Sequence, residues 1–320
     1  MPAFPKPKFT FDYDLATEIK ALRDYPKARP NRKIPDKSAQ RLLLATWNIA
    51  NLGLQERRDN DHKLIAEMLG WFDLIAVQEV NDNLGGLRAI QNFLPKTFRV
   101  LFSNSAGNNE RMAFVYDSKK IKPLEKIGIL TIPPSQQSDI RIEGITQEFR
   151  GFDRSPFLAT FRVGSFTLLL VCVHLYFGDD DAKESIDRRC LEAYAVGRWG
   201  DLRRKSKNAF TPNIIALGDF NLPKVDPGDP IYKALTRRGL ELPTHSTQIG
   251  SSVTSDSHYD QVTFFPGDVK EKFVSAGVFD FDGALFRNLW DPLDKKNTRF
   301  FDYMKYYVSD HRILWAEFKL

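Results

Sequence analysis

Short apolar runs alternate with segments of helical periodicity from Arg41 to the end of the chain. Such a run is typical of a buried strand, and a period of 3.6 residues is typical of an amphipathic helix. Their alternation predicts a layered α/β domain in which helices cover buried sheets. The predicted strands are Leu42–Thr46, Asp73–Gln78, Met112–Tyr116, Phe157–Arg162, Phe166–His174, Asn213–Gly218, Gln261–Phe265 and Arg312–Phe318. The predicted helices are Asp61–Leu69, Leu84–Phe93, Ala182–Leu202 and Pro230–Arg238.

One connection between these strands determines the kind of sheet. Only Val163–Ser165 separate Phe157–Arg162 from Phe166–His174, and so short a link joins antiparallel strands. A purely parallel sheet is thereby excluded, and we predict mixed sheets. Residues 131–150 and 267–307 lack a clean period, so we predict that they form long irregular loops that face a substrate.

Length and composition indicate one large globular domain. With 320 residues, of which 42% are hydrophobic and 27% charged, the chain can bury a sizeable core. We predict a single main domain over residues 41–320. Residues 1–40 are polar and rich in proline, with one short helix at Asp14–Arg23, and we predict that they form an N-terminal extension packed on that domain.

Charge and cysteine content narrow the class of protein further. The net charge of +5 and the pI of about 9.0 are a mild excess that helps a polyanionic substrate to approach. Cys172 and Cys190 lie in apolar and helical patterns, so we predict two buried thiols and no disulfide framework. No run reaches membrane-span length, and Met1–Lys8 does not resemble a secretory signal. We therefore expect a cytoplasmic location, with no pattern that indicates an obligate protein partner.

Polar side chains cluster where the predicted strands end, which is where α/β folds build their sites. A lone Asn or Asp in such a place often caps a turn, and a lone His is often a core residue. Six coincident strand ends have no such explanation. The six blocks are Ala45-Thr46-Trp47-Asn48, Val77-Gln78-Glu79, Val173-His174, Leu217-Gly218-Asp219-Phe220-Asn221, His258-Tyr259-Asp260-Gln261-Val262 and Ser309-Asp310-His311.

Several of these residues carry hard oxygen ligands. Asn48, Glu79 and Asp310 suit an octahedral Mg²⁺, Mn²⁺ or Ca²⁺ ion, and Asp219 is available to a second ion. Zinc is disfavoured because no cysteine or histidine cluster has the required spacing. A metal ion beside a phosphate neutralises charge and polarises the phosphoryl oxygen. The ligand chemistry therefore predicts a divalent-cation site, which could act on a phosphate.

Taken in order, the six blocks resemble the motif set of the endonuclease/exonuclease/phosphatase superfamily, from residue 42 to the C-terminus. The resemblance implies a four-layer α/β sandwich with mixed sheets, like that of deoxyribonuclease, and one central cleft. Arg154-Ser155-Pro156 before a strand, and Asn109-Glu110-Arg111 before another, resemble the pancreatic-deoxyribonuclease-like branch. The chain departs from that branch at Asn81 and Asn108, where the branch places an Arg and a Tyr.

Two histidines are candidate proton donors. His174 and His311 can donate to a phosphate or shuttle protons, provided that a carboxylate holds each ring. The resemblance nominates Glu110 as the partner of His174 and Asp260 as the partner of His311.

The remaining candidates contact the water or the phosphate. Asp219 can align a water molecule for in-line attack, and Asn221 can hold a phosphate oxygen. Arg154 can meet a phosphate as a fork of donors.

These residues predict a metal-dependent phosphodiesterase, and foremost an endonuclease that hydrolyses DNA with little sequence preference by in-line attack of an activated water. The alternative is a phosphoesterase of the same fold that acts on a phospholipid, an inositol phosphate or a nucleotide, since a fold does not determine a substrate. A non-catalytic binding module is disfavoured because every core position holds a competent residue.

Overall fold

The computed structural model of the chain describes residues 3–179 and 181–320. Eleven strands lie in these residues: β1 (Arg41–Leu52), β2 (Leu74–Asn81), β3 (Phe98–Phe102), β4 (Glu110–Asp117), β5 (Lys122–Ile129), β6 (Phe157–Val163), β7 (Phe166–His174), β8 (Ile214–Asp219), β9 (Asp260–Phe264), β10 (Phe273–Phe279) and β11 (Ile313–Lys319). The described α-helices are α1 (Leu15–Ala28), α2 (Asp59–Leu69), α3 (Gly85–Phe93), α4 (Pro134–Gln137), α5 (Lys183–Arg204), α6 (Pro230–Thr236), α7 (Asp268–Lys272) and α8 (Thr298–Tyr307). Within the described ranges, no helix has the length and apolar character needed to cross a membrane.

The strands form two mixed sheets. One has six strands in the order β10-β11-β1-β2-β4-β3, and the other has five in the order β5-β6-β7-β8-β9. β1 pairs with β2 in parallel, and β7 pairs with β8 in parallel. The other neighbours are antiparallel, including the β6–β7 hairpin that the short connection predicts. Each sheet therefore has one parallel pair, whose two carboxyl ends lie at the same edge.

Apolar side chains hold the two sheets face to face. Alternate residues of a strand point to opposite faces, so each sheet has an inner and an outer apolar face. Leu44 and Phe114 of the six-stranded sheet share one buried core with Phe161 and Leu170 of the five-stranded sheet. Helices α1, α2, α3 and α8 cover the outer face of the first sheet, and α5 and α6 cover that of the second. The predicted four-layer α/β sandwich is confirmed.

The N-terminal residues lie against the helical layer of the six-stranded sheet. Asp14 caps α1 by accepting the backbone N–H of Thr17 at 2.7 Å. The carboxylate of Glu18 accepts the backbone N–H of Phe286 at 2.9 Å. These contacts agree with an N-terminal segment that packs on the rest of the chain, while the division of the chain at residue 40 stays a prediction.

The prediction of an irregular loop is wrong for residues 267–307, whereas residues 131–150 are irregular apart from α4, and their contact with a substrate stays a prediction. Residues 267–307 contain β10, which pairs with β11, and α8, whose Phe300 and Tyr303 are buried. Residues 131–150 contribute Ile140 and Phe149 to the core beneath α5. The strands that the periodicity missed, β3, β5 and β10, all lie at sheet edges, where part of each strand is exposed and the apolar pattern is weaker. Both cysteines are buried free thiols, as predicted.

Candidate active site

The carboxyl ends of the two parallel strand pairs meet at one edge of the sandwich. Asn48 on β1 and Glu79 on β2 come from the six-stranded sheet, and His174 on β7 pairs with Asp219 on β8 in the five-stranded sheet. The Asn48 amide joins the two sheets, because its Nδ2 donates to Glu79 Oε1 at 3.0 Å and to Asp219 Oδ2 at 3.1 Å. All four side chains are buried.

The backbone at Glu79 departs from regular strand geometry. Its φ of +59° lies in the left-handed region that residues other than glycine rarely adopt. The pairing of β2 with both of its neighbours shifts register beside this residue, as in a β-bulge that redirects a side chain. Asn51 donates its backbone N–H to Glu79 Oε2 at 2.8 Å. This hydrogen bond holds the Glu79 carboxylate in its redirected orientation. Local strain of this kind clusters at functional sites.

Asp219 lies between the two histidines. Its Oδ2 is 3.7 Å from His174 Nε2 and 3.8 Å from His311 Nε2. Burial on its own raises the pKa of Asp219, but the charges of His311 and His174 outweigh burial and hold that pKa below its ordinary value. The preceding Gly218 has a φ of +135°, and a Cβ there would lie 2.1 Å from the carbonyl oxygen of Val173. Glycine is therefore required for β8 to approach β7 next to Asp219.

His311 and Asp260 form the shorter of two histidine–carboxylate pairs. His311 Nδ1 donates to Asp260 Oδ2 at 2.7 Å, and both side chains are buried. Asp260 begins β9 in the five-stranded sheet and His311 precedes β11 in the six-stranded sheet, so the pair crosses between the sheets. Burial lowers the pKa of His311, but the carboxylates of Asp260, Asp310 and Asp219 outweigh burial and raise it well above its ordinary value. The surrounding carboxylates therefore favour the protonated form of His311.

His174 and Glu110 form the second pair. His174 Nδ1 lies 3.1 Å from Glu110 Oε2. Glu110 begins β4 of the six-stranded sheet and His174 ends β7, so this pair also crosses between the sheets. Burial raises the pKa of Glu110, but the hydrogen bond and charge of His174, together with the charge of Arg154, lower it to about 2. Glu110 is therefore an ionised carboxylate beside the His174 ring.

Asn221 shapes the turn that follows β8. Its φ is +49°, and its backbone N–H donates to Asp219 Oδ1 at 2.9 Å. Its side-chain Nδ2 donates to the carbonyl oxygen of Leu175 at 2.8 Å. These bonds hold Asn221 beside Asp219, and its contact with a substrate phosphate stays a prediction.

Arg154 lies beneath His174 and is only 4% exposed. Its Nε donates to the carbonyl oxygen of His174 at 3.0 Å, and a terminal nitrogen donates to that of Leu175 at 2.8 Å. The guanidinium is also 3.1 Å from Asp153 Oδ2 and 3.8 Å from Glu110 Oε2. The contacts hold the backbone of His174 close to its carboxylate partner. This geometry favours a positioning role over the predicted contact with a substrate phosphate.

Glu192 on α5 is a buried carboxylate that sequence reasoning missed. Its two oxygens accept the backbone N–H groups of Asp153 and Tyr176, each at 3.0 Å. It thereby ties the segment before Arg154 to the segment after His174. Burial raises the pKa of Glu192. A glutamate inside a helical pattern carries no signal of such a role, because its partners are backbone groups distant in the sequence.

Ser309 and Arg57 connect the end of β1 to the Ser-Asp-His block. Ser309 Oγ donates to the carbonyl oxygen of Asn48 at 2.6 Å and accepts the N–H of His311 at 3.0 Å. The buried guanidinium of Arg57 donates to one carbonyl oxygen in β1, at 2.6 Å, and to one just before Ser309, at 3.1 Å. The sequence indicated Ser309 only through its position in the Ser-Asp-His block, and nothing in the sequence indicated a role for Arg57.

Asn48, Glu79 and Asp310 form an acidic corner whose chemistry fits a divalent cation. Asn48 Oδ1 is buried and accepts no hydrogen bond from the described residues. Burial raises the pKa of Asp310 to about 6; the charge of His311 opposes this shift and that of Glu79 adds to it. A cation would satisfy the amide oxygen and favour both carboxylates in their charged form.

No group of three or more His, Cys, Asp and Glu side chains in residues 3–179 and 181–320 is placed to hold a metal ion. A set of three protein ligands here would therefore have to draw on the Asn48 amide oxygen as well as on carboxylates. Mg²⁺ accommodates this, since it commonly binds through one or two carboxylates and completes its shell with water and substrate phosphate.

Comparison with known proteins shows which solved structures share this fold. No protein-family model matches the chain, and no curated protein matches its sequence. Three solved structures that match over most of its length are a mannosyl-6-phosphatase from Bacteroides thetaiotaomicron (18% identity, 87% of this chain and 100% of that chain, TM-score 0.54), D. rerio TDP2 complexed with a single-strand DNA product (14%, 88% and 99%, 0.55) and an endonuclease/exonuclease/phosphatase family protein from Leptotrichia buccalis (15%, 87% and 100%, 0.53).

Identities this low establish the fold alone. The chain has the α/β sandwich of the endonuclease/exonuclease/phosphatase superfamily, so the fold that the six motifs predicted is confirmed. The pancreatic-deoxyribonuclease-like branch and the roles of the site residues stay predictions.

Proposed function

We propose that this chain is a divalent-metal-dependent phosphodiesterase, and that nucleic acid, DNA foremost, is its substrate. One observation carries the proposal: a single oxygen of Asp219 lies within 3.8 Å of two imidazole nitrogens, and each imidazole has a carboxylate from the opposite sheet behind it. A buried anion flanked by two oriented imidazoles suits in-line attack of water on a phosphate. The DNA product bound to D. rerio TDP2 supports DNA as the first substrate to test.

One protein residue acts on the attacking water, and the others contact the phosphate. The carboxylate of Asp219 orients the attacking water and accepts its proton; as the water oxygen bonds to phosphorus, the phosphorus–oxygen bond to the leaving alcohol breaks and that oxygen takes up a proton from solvent. His311, protonated through its pair with Asp260, donates to a phosphoryl oxygen as negative charge develops there. His174, held by Glu110, contacts the phosphate from the other side, and Asn221 holds a further phosphate oxygen.

The acidic corner would hold the metal ion. Asn48, Glu79 and Asp310 are its proposed ligands, and Asp219 is available to a second ion. A bound Mg²⁺ or Mn²⁺ would supply neutralisation of phosphate charge and polarisation of a phosphoryl oxygen. These oxygen ligands and the buried, unbonded Oδ1 of Asn48 support this assignment.

Hydrolysis assays test the proposal directly. Purified protein is incubated with plasmid DNA, RNA, a generic phosphodiester and a generic phosphomonoester, with Mg²⁺ or with excess chelator. We expect diester turnover that requires the metal and that Glu79→Gln nearly eliminates, while circular dichroism shows an intact fold. Full turnover in chelator would refute the metal assignment, and turnover of the monoester alone would refute the phosphodiesterase.

A second candidate is a phosphoesterase for small substrates, and the charge around the site favours it. Affinity for long DNA depends on Lys and Arg that neutralise phosphates. Exposed acidic and amide side chains occur in the loops that precede or follow the site strands: Asp82, Asn83, Asn108, Asn109, Asp179, Asp226 and Asp256. A nuclease of long DNA should lose affinity steeply as salt rises, whereas a short substrate that contacts few phosphates should show a shallow dependence.

A further inference from the structure

Two aromatic rings lie beside the His311 half of the site. Tyr259 directly precedes Asp260, and its ring centroid is 5.9 Å from that of His311, with the planes at 41°. Phe177 follows the end of β7, and its ring meets that of Tyr259 edge-on at 6.2 Å and 86°. Both side chains are half-buried, so part of each ring remains accessible at the mouth of the site.

Contacts within the protein hold the backbone of Tyr259 and the ring of Phe177 before any substrate arrives. The carbonyl oxygen of Tyr259 accepts the backbone N–H of Phe220 at 2.8 Å, which holds it against the turn after β8. The guanidinium of Arg189, 1% exposed, lies 5.5 Å from the centre of the Phe177 ring and donates to the carbonyl oxygen of Asp179 at 3.1 Å. A preorganised ring pair loses little conformational entropy on binding.

The His174 half has no comparable ring surface in its own pair. Its nearest described groups are charged: Glu110 at 3.1 Å and, behind it, Arg154. A phosphate held between the two histidines would therefore have a polar flank on one side and an aromatic flank on the other. Aromatic side chains bind flat rings by stacking or edge contact, and each stacked base contributes binding without any cation.

We propose that Phe177 and Tyr259 form a contact surface for an unpaired nucleobase joined to the reacting phosphate, so that the substrate is a short or single-stranded nucleic acid. This inference rests on the proposed reaction at the same site. The base must be unpaired because a base within a duplex already has both faces stacked on its neighbours. Inositol phosphates and phospholipid head groups offer no flat ring to these side chains.

Binding of two matched ligands tests the ring surface. The ligands are a thymidine dinucleotide and its analogue in which one base is replaced by hydrogen, so that charge and backbone are equal. Affinities are measured with Mg²⁺ in the Asp219→Asn protein, which prevents turnover. We expect the complete dinucleotide to bind roughly 5- to 150-fold more tightly than the analogue, which is the usual range for one stacked base. Equal affinities, or no binding of either ligand, would overturn the proposal.

Substitutions test whether the two rings cause the difference in affinity between the dinucleotides. In the same background, Phe177→Leu and Tyr259→Leu should each lower the ratio of the two affinities toward one, and Tyr259→Phe should preserve it because the ring remains. Phe210→Leu is the matched control, since Phe210 is 45% exposed and precedes β8 at the opposite edge of the sheet. A ratio that stays high in both leucine variants would overturn the assignment to these rings.

Hydrolysis separates this inference from the proposed function. If the wild-type protein with Mg²⁺ cleaves a generic diester but the Asp219→Asn protein binds the two dinucleotides equally, the ring surface is refuted and the phosphodiesterase stands. If the Asp219→Asn protein prefers the complete dinucleotide but the wild-type protein cleaves no phosphoester, the proposed function is refuted and the base contact stands.

Discussion

Each of the two pairs consists of a histidine and a carboxylate, but the charges around the two pairs differ. Each pair takes one residue from each sheet, and each histidine directs its Nε2 toward the same oxygen of Asp219. His311 is surrounded by carboxylates, which raise its pKa well above the ordinary value. Burial raises the pKa of Glu110, but the hydrogen bond and charge of His174 and the charge of Arg154 lower it to about 2. The charges next to a pair therefore determine how the pKa values of its histidine and its carboxylate are shifted.

This difference assigns separate tasks to the two pairs. In the His311 pair the proton is held on the imidazole, which makes His311 the better donor to a phosphoryl oxygen. In the His174 pair the stable feature is the anion of Glu110, which fixes a ring that Arg154 and Glu192 also hold through the backbone. We expect the first pair to govern the pH dependence of the reaction and the second to govern its geometry.

The largest effect is expected from Asp260→Asn, which keeps the volume of the side chain and removes its charge. Loss of that charge lowers the pKa of His311, so the alkaline limb of the pH–rate profile should move to lower pH. kcat/KM should fall by a factor on the order of 10² to 10⁴, the usual contribution of a positioned acid or base. Asp268→Asn, at an exposed position on α7, is the control. A stable Asp260→Asn protein with the wild-type profile would contradict this role.

Glu110→Gln is expected to have a smaller effect of a different kind. It removes the anion that fixes His174, and misplacement of a catalytic group can lower the rate by a factor on the order of 10². The alkaline limb should stay where it is, because His311 keeps Asp260. Compared with wild type, Asp260→Asn should change both the position of the alkaline limb and the height of the pH–rate profile, whereas Glu110→Gln should change only the height. An alkaline shift in Glu110→Gln as large as that in Asp260→Asn would remove the distinction.

Arg154→Lys should reduce the rate modestly and equally for long DNA and for a small phosphodiester. The guanidinium contacts the backbone of His174, so its loss acts through that ring whatever the substrate. Combined with Glu110→Gln, it should cost less than the product of the two single effects, whereas combined with Asp260→Asn the effects should multiply. A loss confined to DNA would restore the predicted contact between Arg154 and a substrate phosphate.

The next prediction concerns unfolding in acid. We expect a clear effect on the stability of the fold and the smallest effect on turnover. Glu110 has a folded pKa of about 2, below the value near 4.3 of a free glutamate. Its pair therefore stabilises the fold above pH ~4.3, and this contribution is lost as the pH falls through the folded pKa. Urea unfolding should show a gap between wild type and Glu110→Gln that narrows from pH 6 to pH 3. A gap that widens toward low pH would contradict the sign of the shift.

The sequence alone determined the layered fold and the edge at which the site lies. Central strands such as β1 and β7 are buried on both faces, so their apolar runs are continuous and easily recognised. Polar residues that end such strands must gather at one edge of a sheet, which is why Asn48, Glu79 and Asp219 could be grouped without coordinates. Edge strands such as β5 expose many side chains and gave no clear period.

The resemblance nominated the two histidine–carboxylate pairs, but only the tertiary structure showed their contacts and the residues that support them. His311 and Asp260 are 51 residues apart and belong to different sheets. Their contact follows from the packing of one sheet on the other, which no local pattern encodes. Arg154, Glu192 and Arg57 act on backbone groups far along the chain, and a hydrogen bond to a carbonyl or an N–H places no demand on the partner's side chain. The sequence can therefore name the groups that face a substrate, while the groups that hold them in place become visible only when the chain is folded.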